Sequence, residues 1–148
     1  MQRLQGVRKA VLAGLVAIGL TSAAFAQTAT PASGLGQSWP NAADLSANPN
    51  WHVYVFVLNG IEYVQINDLN GTVHAAVATA GGTTIVLPVG VDSQNVQTTA
   101  ASASSTAQTI YSDATTTVTA TPQSNGTTTF NAVSADCNTY NCGGGRGS

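Results

Sequence analysis

The chain has 148 residues, of which 43% are hydrophobic and only 7% are charged, and its formal net charge is −2. Three of its four basic residues, Arg3, Arg8 and Lys9, precede residue 10, and only Arg146 follows. Proteins that bind nucleic acids or anionic lipids use Lys and Arg to neutralise phosphates, so this composition excludes both kinds of partner.

Residues 1–26 have the three parts of a Sec-type signal peptide. Basic residues come first, an apolar run over 10–20 follows, and Ala24-Phe25-Ala26 has the small-x-small pattern of a cleavage site. The apolar run is too short to span a bilayer. We therefore expect cleavage before Gln27 and export to the periplasm or the extracellular space, with no membrane attachment of the mature chain. The alternative is an uncleaved N-terminal anchor.

Residues 27–50 are rich in Pro, Gly, Ser, Ala and Asn, with few large apolar side chains. This composition predicts a flexible N-terminal linker. The alternative is an arm laid over the domain, in which Trp39-Pro40 packs on a sheet.

Residues 51–89 contain four apolar runs separated by turn sequences, which predicts a four-stranded antiparallel meander and an all-β fold. Their β-branched and aromatic residues favour strands. Asn59-Gly60 is a strong hairpin signal, because a type I′ turn needs positive φ at both central residues. Asp68-Leu-Asn-Gly71 and Gly81-Gly82 provide the other turns. Pro88 cannot donate a hydrogen bond, which suits an edge strand.

The two-residue Asn59-Gly60 turn also fixes the register of the first hairpin. The predicted cross-strand pairs are Leu58 with Ile61, Phe56 with Tyr63, Tyr54 with Gln65, and His52 with Asn67.

Alternation sorts the side chains of the meander into two faces. One face is rich in valine and is predicted to be the core. The other is apolar but more aromatic, and we expect it to stay exposed and to contact a partner. The predicted binding residues are Tyr54, Phe56, Tyr63 and Leu87.

After a predicted loop over 90–108, residues 109–135 are rich in β-branched threonine and predict a smaller three-stranded segment, packed on the meander or extending it. Its last two strands form a hairpin. Residues 51–135 are thus predicted to be a single small β domain. One stripe of apolar side chains points inward: Ile110, Val118, Ala120, Phe130 and Ala132. The alternative is a disordered Thr- and Ser-rich segment.

Residues 136–148 contain both cysteines and a glycine-rich end. The spacing of Cys137 and Cys142 matches neither a redox motif nor a zinc knuckle, and an exported chain favours a disulfide between them. We expect the termini of the chain to be partly disordered.

No catalytic motif is present, so we expect a protein that is not an enzyme and has no cofactor. His52 and His74 lie on the aromatic face in the predicted register, two strands apart, where they are close enough to share a metal. No third ligand is predicted beside them, so no metal site is assigned.

These observations predict a small exported β-protein that binds a protein or glycan partner, or another copy of itself, through its aromatic face. The first alternative is a structural subunit that polymerises by strand pairing into an extracellular fibre or matrix, since few charges protect the strand edges. The second is a histidine-based metal-binding protein.

Overall fold

The computed structural model describes residues 31–100 and 104–135, whose strands form two four-stranded sheets. The first, in the order β1-β2-β3-β4, contains β1 (His52–Leu58), β2 (Ile61–Asn67), β3 (Val73–Ala80) and β4 (Thr83–Val86). The second, in the order β5-β8-β7-β6, contains β5 (Val96–Gln97), β6 (Gln108–Ser112), β7 (Thr116–Pro122) and β8 (Thr128–Ser134). The predicted all-β class and meander are confirmed. Within these ranges no helix has the length and apolarity needed to cross a membrane.

The first hairpin has the predicted register. Asn59 and Gly60 have φ values of 52° and 78°, so the two-residue turn forms and aligns the strands that flank it. Leu58 lies opposite Ile61, and each of the other predicted pairs of β1 and β2 is present. Gly81-Gly82 likewise turns the chain between β3 and β4, and β4 is an edge strand.

The threonine-rich half forms strands as predicted, and β7 and β8 make the expected antiparallel hairpin. One strand was not predicted. Val96 and Gln97 pair in parallel with Phe130 and Asn131, so the second sheet has four strands rather than three. Two residues are too few to show an alternating pattern in the sequence.

The core lies between the two sheets, where the valine face of the meander packs against the second sheet. The predicted inward stripe is confirmed, because Ile110, Val118, Ala120, Phe130 and Ala132 are all buried. The second sheet therefore packs on the meander and does not extend it. The alternative of a disordered threonine-rich segment is wrong for residues 104–135.

Residues 33–50 form a strap along one side of the two sheets, which differs from the predicted flexible linker. The Leu45 amide donates to the Val53 carbonyl of β1 at 2.8 Å, and the Ala47 amide donates to the Ile110 carbonyl of β6 at 2.8 Å. The strap therefore joins the edge strand of one sheet to that of the other. Composition does not predict these bonds, because they use backbone groups.

Two predicted features lie outside the described residues. They are the signal peptide over residues 1–26 and the disulfide between Cys137 and Cys142. Both stay predictions.

Candidate functional site

The strap covers part of the aromatic face of the meander. It is held there by Gln65 and Asn67 of β2, whose side chains are fully buried. The Gln65 side chain accepts a hydrogen bond from the Gly36 amide at 2.6 Å and donates to the Gln37 carbonyl at 2.8 Å. The Asn67 side chain donates to the Ser38 carbonyl at 2.7 Å. If the strap moved away, the buried amides of Gln65 and Asn67 would lose their hydrogen-bond partners, which costs free energy. These bonds therefore hold the strap in one position.

Two of the predicted binding residues are buried, which corrects their expected exposure. Tyr54 and Phe56 are only 6% and 5% exposed, so neither is accessible to a partner. Tyr54 forms a β-bridge with Asp44 of the strap and stacks on His52, with 6.1 Å between the ring centroids. Burial raises the pKa of the Tyr54 phenol, with a further contribution from the Asp44 carboxylate. The rings of Tyr54 and Phe56 are therefore part of the protein interior and do not form an exposed binding surface.

The other two predicted residues, Tyr63 and Leu87, line an open groove on the same face. We call it the β3 groove, and its volume is about 240 Å³. Its lining comprises Ile61, Tyr63, Ala78, Ala80, Thr83, Ile85 and Leu87. No charged side chain is among them. Ile85 is 55% exposed at the rim, so this apolar surface is open to solvent.

Differences in side-chain size along one cross-strand row produce the groove. Tyr63 of β2 pairs with Ala78 of β3, which pairs with Ile85 of β4. The small alanine lies between two large side chains, so it forms the floor and they form the walls. The walls stand on strands about 10 Å apart, two strand spacings. Alternate alanines in β3 are a signal for this groove that sequence reasoning missed.

A second concavity lies on the outer face of the second sheet and has a volume of about 650 Å³. Hydroxyl and amide side chains dominate its lining, including Thr109, Thr119, Thr121, Gln123 and Asn131. Such groups are well hydrated, so covering them releases little hydrophobic free energy. The β3 groove is therefore the better candidate for an interface.

The rings of the two histidines do not lie on the same face, which corrects the predicted position of His74. A β-bulge opposite Ile66 and Asn67 shifts the register around His74. The His74 ring contacts Trp51 and Phe130 of the core side, whereas His52 contacts Trp39 and Tyr54 on the other face. Residues 31–100 and 104–135 contain no group of three or more His, Cys, Asp or Glu side chains placed to hold a metal ion.

Each histidine is instead paired with acidic side chains. His52 Nδ1 lies 2.7 Å from an oxygen of Asp44. His74 Nδ1 lies 2.6 Å from Asp92, and His74 Nε2 lies 3.5 Å from Asp68. Carboxylates in these positions orient the two rings.

Glu62 is an ionisable group on the core face of β2 and is only 8% exposed. Its Oε1 atom is buried and has no hydrogen-bond partner among the described residues. Burial, together with the nearby Asp113 carboxylate, raises the pKa of this carboxyl to about 6. Hydrogen bonds from the Thr116 amide, the Tyr111 hydroxyl and the Thr115 amide lower the pKa of Asp113 against the opposing effect of burial. When the two carboxyl groups of Glu62 and Asp113 share one proton, it is therefore on Glu62, and Asp113 is ionised.

Glu62→Gln is expected to remove a pH dependence of stability. The folded state holds the Glu62 proton more tightly than the unfolded state, where the pKa is near 4.5. The stabilisation is therefore complete below pH 4.5 and is lost as the pH rises through 6. The loss is about 2 kcal/mol in the free energy of unfolding. Urea denaturation between pH 4.5 and 8 should show that the free energy of unfolding of the wild type falls with pH by this amount more than that of Glu62→Gln. Both proteins keep His52 and His74, so parallel slopes would contradict the assignment.

The arrangement of the described residues offers an apolar groove for contact. Ala78, Ile85 and Leu87 provide shape and apolar surface but no reactive group. No protein-family model, characterised protein or solved structure matches the chain.

Proposed function

We propose that the protein is an exported, non-enzymatic binding module whose β3 groove receives apolar side chains from an extended segment of a partner protein. The observation that carries the proposal is an open groove with an alanine floor, large apolar walls and no charged lining residue. Its sequence support is the signal-peptide pattern of residues 1–26.

The volume and chemistry of the groove favour side chains of a protein over other ligands. Its volume of about 240 Å³ is below the roughly 300–1,000 Å³ of pockets that enclose a small molecule. A glycan needs several hydrogen-bonding groups, and the Tyr63 and Thr83 hydroxyls are the only polar side-chain groups in the lining. Anchors in protein interfaces are large apolar side chains that fill such depressions.

The position of the strap favours an elongated ligand, because the strap closes one end of the β3 groove. The next row of the sheet contains Gln65, Ala76 and Leu87, and there Gln65 is bound by strap residues. The groove is thus closed by the strap at this end and open toward the Gly81-Gly82 turn. A segment that follows the direction of β3 fits this shape.

Filling the floor of the groove is expected to weaken the binding of a partner segment. We would select linear peptides from a displayed library on the purified protein and measure each by fluorescence polarisation. Peptides with apolar anchors should bind, and Ala78→Leu should weaken them by about tenfold or more, since a leucine-sized anchor contributes roughly 1.5–3 kcal/mol.

Ala43→Leu is the matched control, because Ala43 is an exposed strap residue that does not line the groove. It should bind the peptides as the wild type does. Equal affinities for Ala78→Leu and the wild type would refute the proposal. So would a concentration-dependent dimer that Ala78→Leu disrupts in the absence of peptide, because the occupant would then be a second copy.

A further inference from the structure

A second surface, away from the β3 groove, is formed by Trp39 of the strap. Its side chain is 59% exposed, although the chain on which it stands is firmly held. The carbonyls of Gln37 and Ser38, the two preceding residues, are bound by the fully buried amides of Gln65 and Asn67. Two polar side chains in the middle of a sheet thus fix the backbone that displays this indole.

The ring rests on a glycine that accommodates it. A Cβ atom added to Gly71 would lie 2.8 Å from Trp39 Cε2, 2.9 Å from Cζ2 and 3.0 Å from Nε1. Nearly equal distances to three adjacent ring atoms describe contact through the face of the ring, not through its edge. One face of the indole therefore lies on the Gly71 turn, and the exposure of the side chain is that of its other face.

Two polar residues, His52 and Asn70, lie close to this indole. The centroid of the His52 ring lies 5.5 Å from that of the indole, with an angle of 68° between the two ring planes. His52 Nδ1 is bonded to Asp44, while Nε2 makes no hydrogen bond to any described residue. Asn70, in the turn under the indole, is exposed.

We infer that Trp39 is the stacking platform of a binding site for a neutral saccharide. A sugar ring has an apolar face of C–H groups, which packs on an aromatic face, and a rim of hydroxyls, which hydrogen-bond to polar side chains. Trp39 offers the first, and the His52 ring next to it and Asn70, which precedes Gly71 in the turn, offer the second. The aromatic face of an indole combined with polar neighbours suits such a ligand, because a sugar ring has both an apolar face and hydrogen-bonding hydroxyls. An apolar protein anchor would instead need an apolar surround, as the β3 groove provides.

The platform is also pre-organised. The buried amides and the Gly71 contact hold the indole before any ligand arrives, so little ordering is required on binding. The site depends on none of the residues that line the β3 groove, and it is independent of the function proposed above.

The test is calorimetric titration of the purified protein with neutral hexasaccharides, namely β-1,4-linked glucose, β-1,4-linked N-acetylglucosamine and α-1,4-linked glucose. Saturable binding of at least one is expected, with a blue shift of the tryptophan emission. Trp39→Ala should weaken binding by about tenfold or more, with only a small fall in the melting temperature because more than half of the residue is exposed.

Two control variants separate this site from the rest of the molecule. Leu45→Ala removes another exposed apolar side chain of the strap, 51% exposed, and should leave saccharide binding intact. Ala78→Leu should do the same, which distinguishes failure here from failure of the groove. The inference is overturned if no hexasaccharide binds, if Trp39→Ala binds as the wild type does, or if Trp39→Ala weakens the groove-binding peptides instead.

Discussion

Gly90→Ala is expected to destabilise the protein by about 3 kcal/mol or more, a large part of the roughly 5–15 kcal/mol that stabilises a domain. Gly90 has a φ of +103°, in a region that side chains rarely adopt. A Cβ atom there would overlap the backbone carbonyl of His74 and lie 2.7 Å from the amide nitrogen of Ala75. This backbone belongs to the first residues of β3, and it cannot move aside as a flexible side chain can.

The close approach at Gly90 is maintained by the residues that follow it. The Val91 amide donates to the Val73 carbonyl at 3.0 Å, and the Asp92 amide donates to the His74 carbonyl at 2.8 Å. A backbone shift that relieved the clash would break these two hydrogen bonds. It would also destabilise the segment that connects the meander to β5 of the second sheet. Urea denaturation would measure the loss.

Gly126→Ala is the control for backbone strain alone. Gly126 has a φ of +84°, and an added Cβ would meet nothing within 4 Å. Its expected cost is about 1–2 kcal/mol. Equal losses for the two variants would show that the close approach at Gly90 contributes nothing.

Phe130→Ala is expected to cost about 3–5 kcal/mol of unfolding free energy. Phe130 is fully buried in β8, between β5 and β7. Its ring centroid lies 5.2 Å from that of Trp51 in an edge-to-face contact, so it joins the second sheet to the start of the meander. Removal of the ring leaves a cavity between two sheets that cannot collapse fully, because backbone hydrogen bonds fix both.

Val133→Ala is the matched control for Phe130→Ala, since Val133 belongs to the same strand and is only half-buried. Its loss should stay below about 1 kcal/mol. Chemical denaturation of both variants would check the comparison. A loss below about 2 kcal/mol for Phe130→Ala would mean that the two sheets are held together mainly elsewhere.

Local signals in the sequence predicted the meander and its register. Asn59-Gly60 specifies a turn of two residues, and alternation then assigns every side chain of the hairpin to a face. The same reasoning identified the buried stripe that contains Phe130. These features were predictable because each depends on residues close together in the chain.

Contacts between distant segments were not predictable in this way. The burial of Tyr54 depends on Asp44 of the strap, a segment with no periodicity. The displacement of His74 depends on a bulge and on hydrogen bonds from residues 91 and 92. Of the four predicted binding residues, Tyr63 and Leu87 line the open β3 groove, whereas Tyr54 and Phe56 are buried. The groove also depends on the small alanines of β3. A prediction that looks for large apolar side chains does not detect the space that small ones leave.

The strap has a consequence for how copies of the protein associate. It occupies backbone positions on β1 and β6, the edges on one side of both sheets, at Val53 and Ile110. Among the described residues, the hydrogen bonds of the strap therefore leave the edges on the opposite side, at β4 and the short β5, uninterrupted. Growth of a long filament needs two complementary ends on every subunit, whereas a single available end closes after one addition. Pairing through edges is thus expected to stop at a two-fold symmetric dimer and not to propagate.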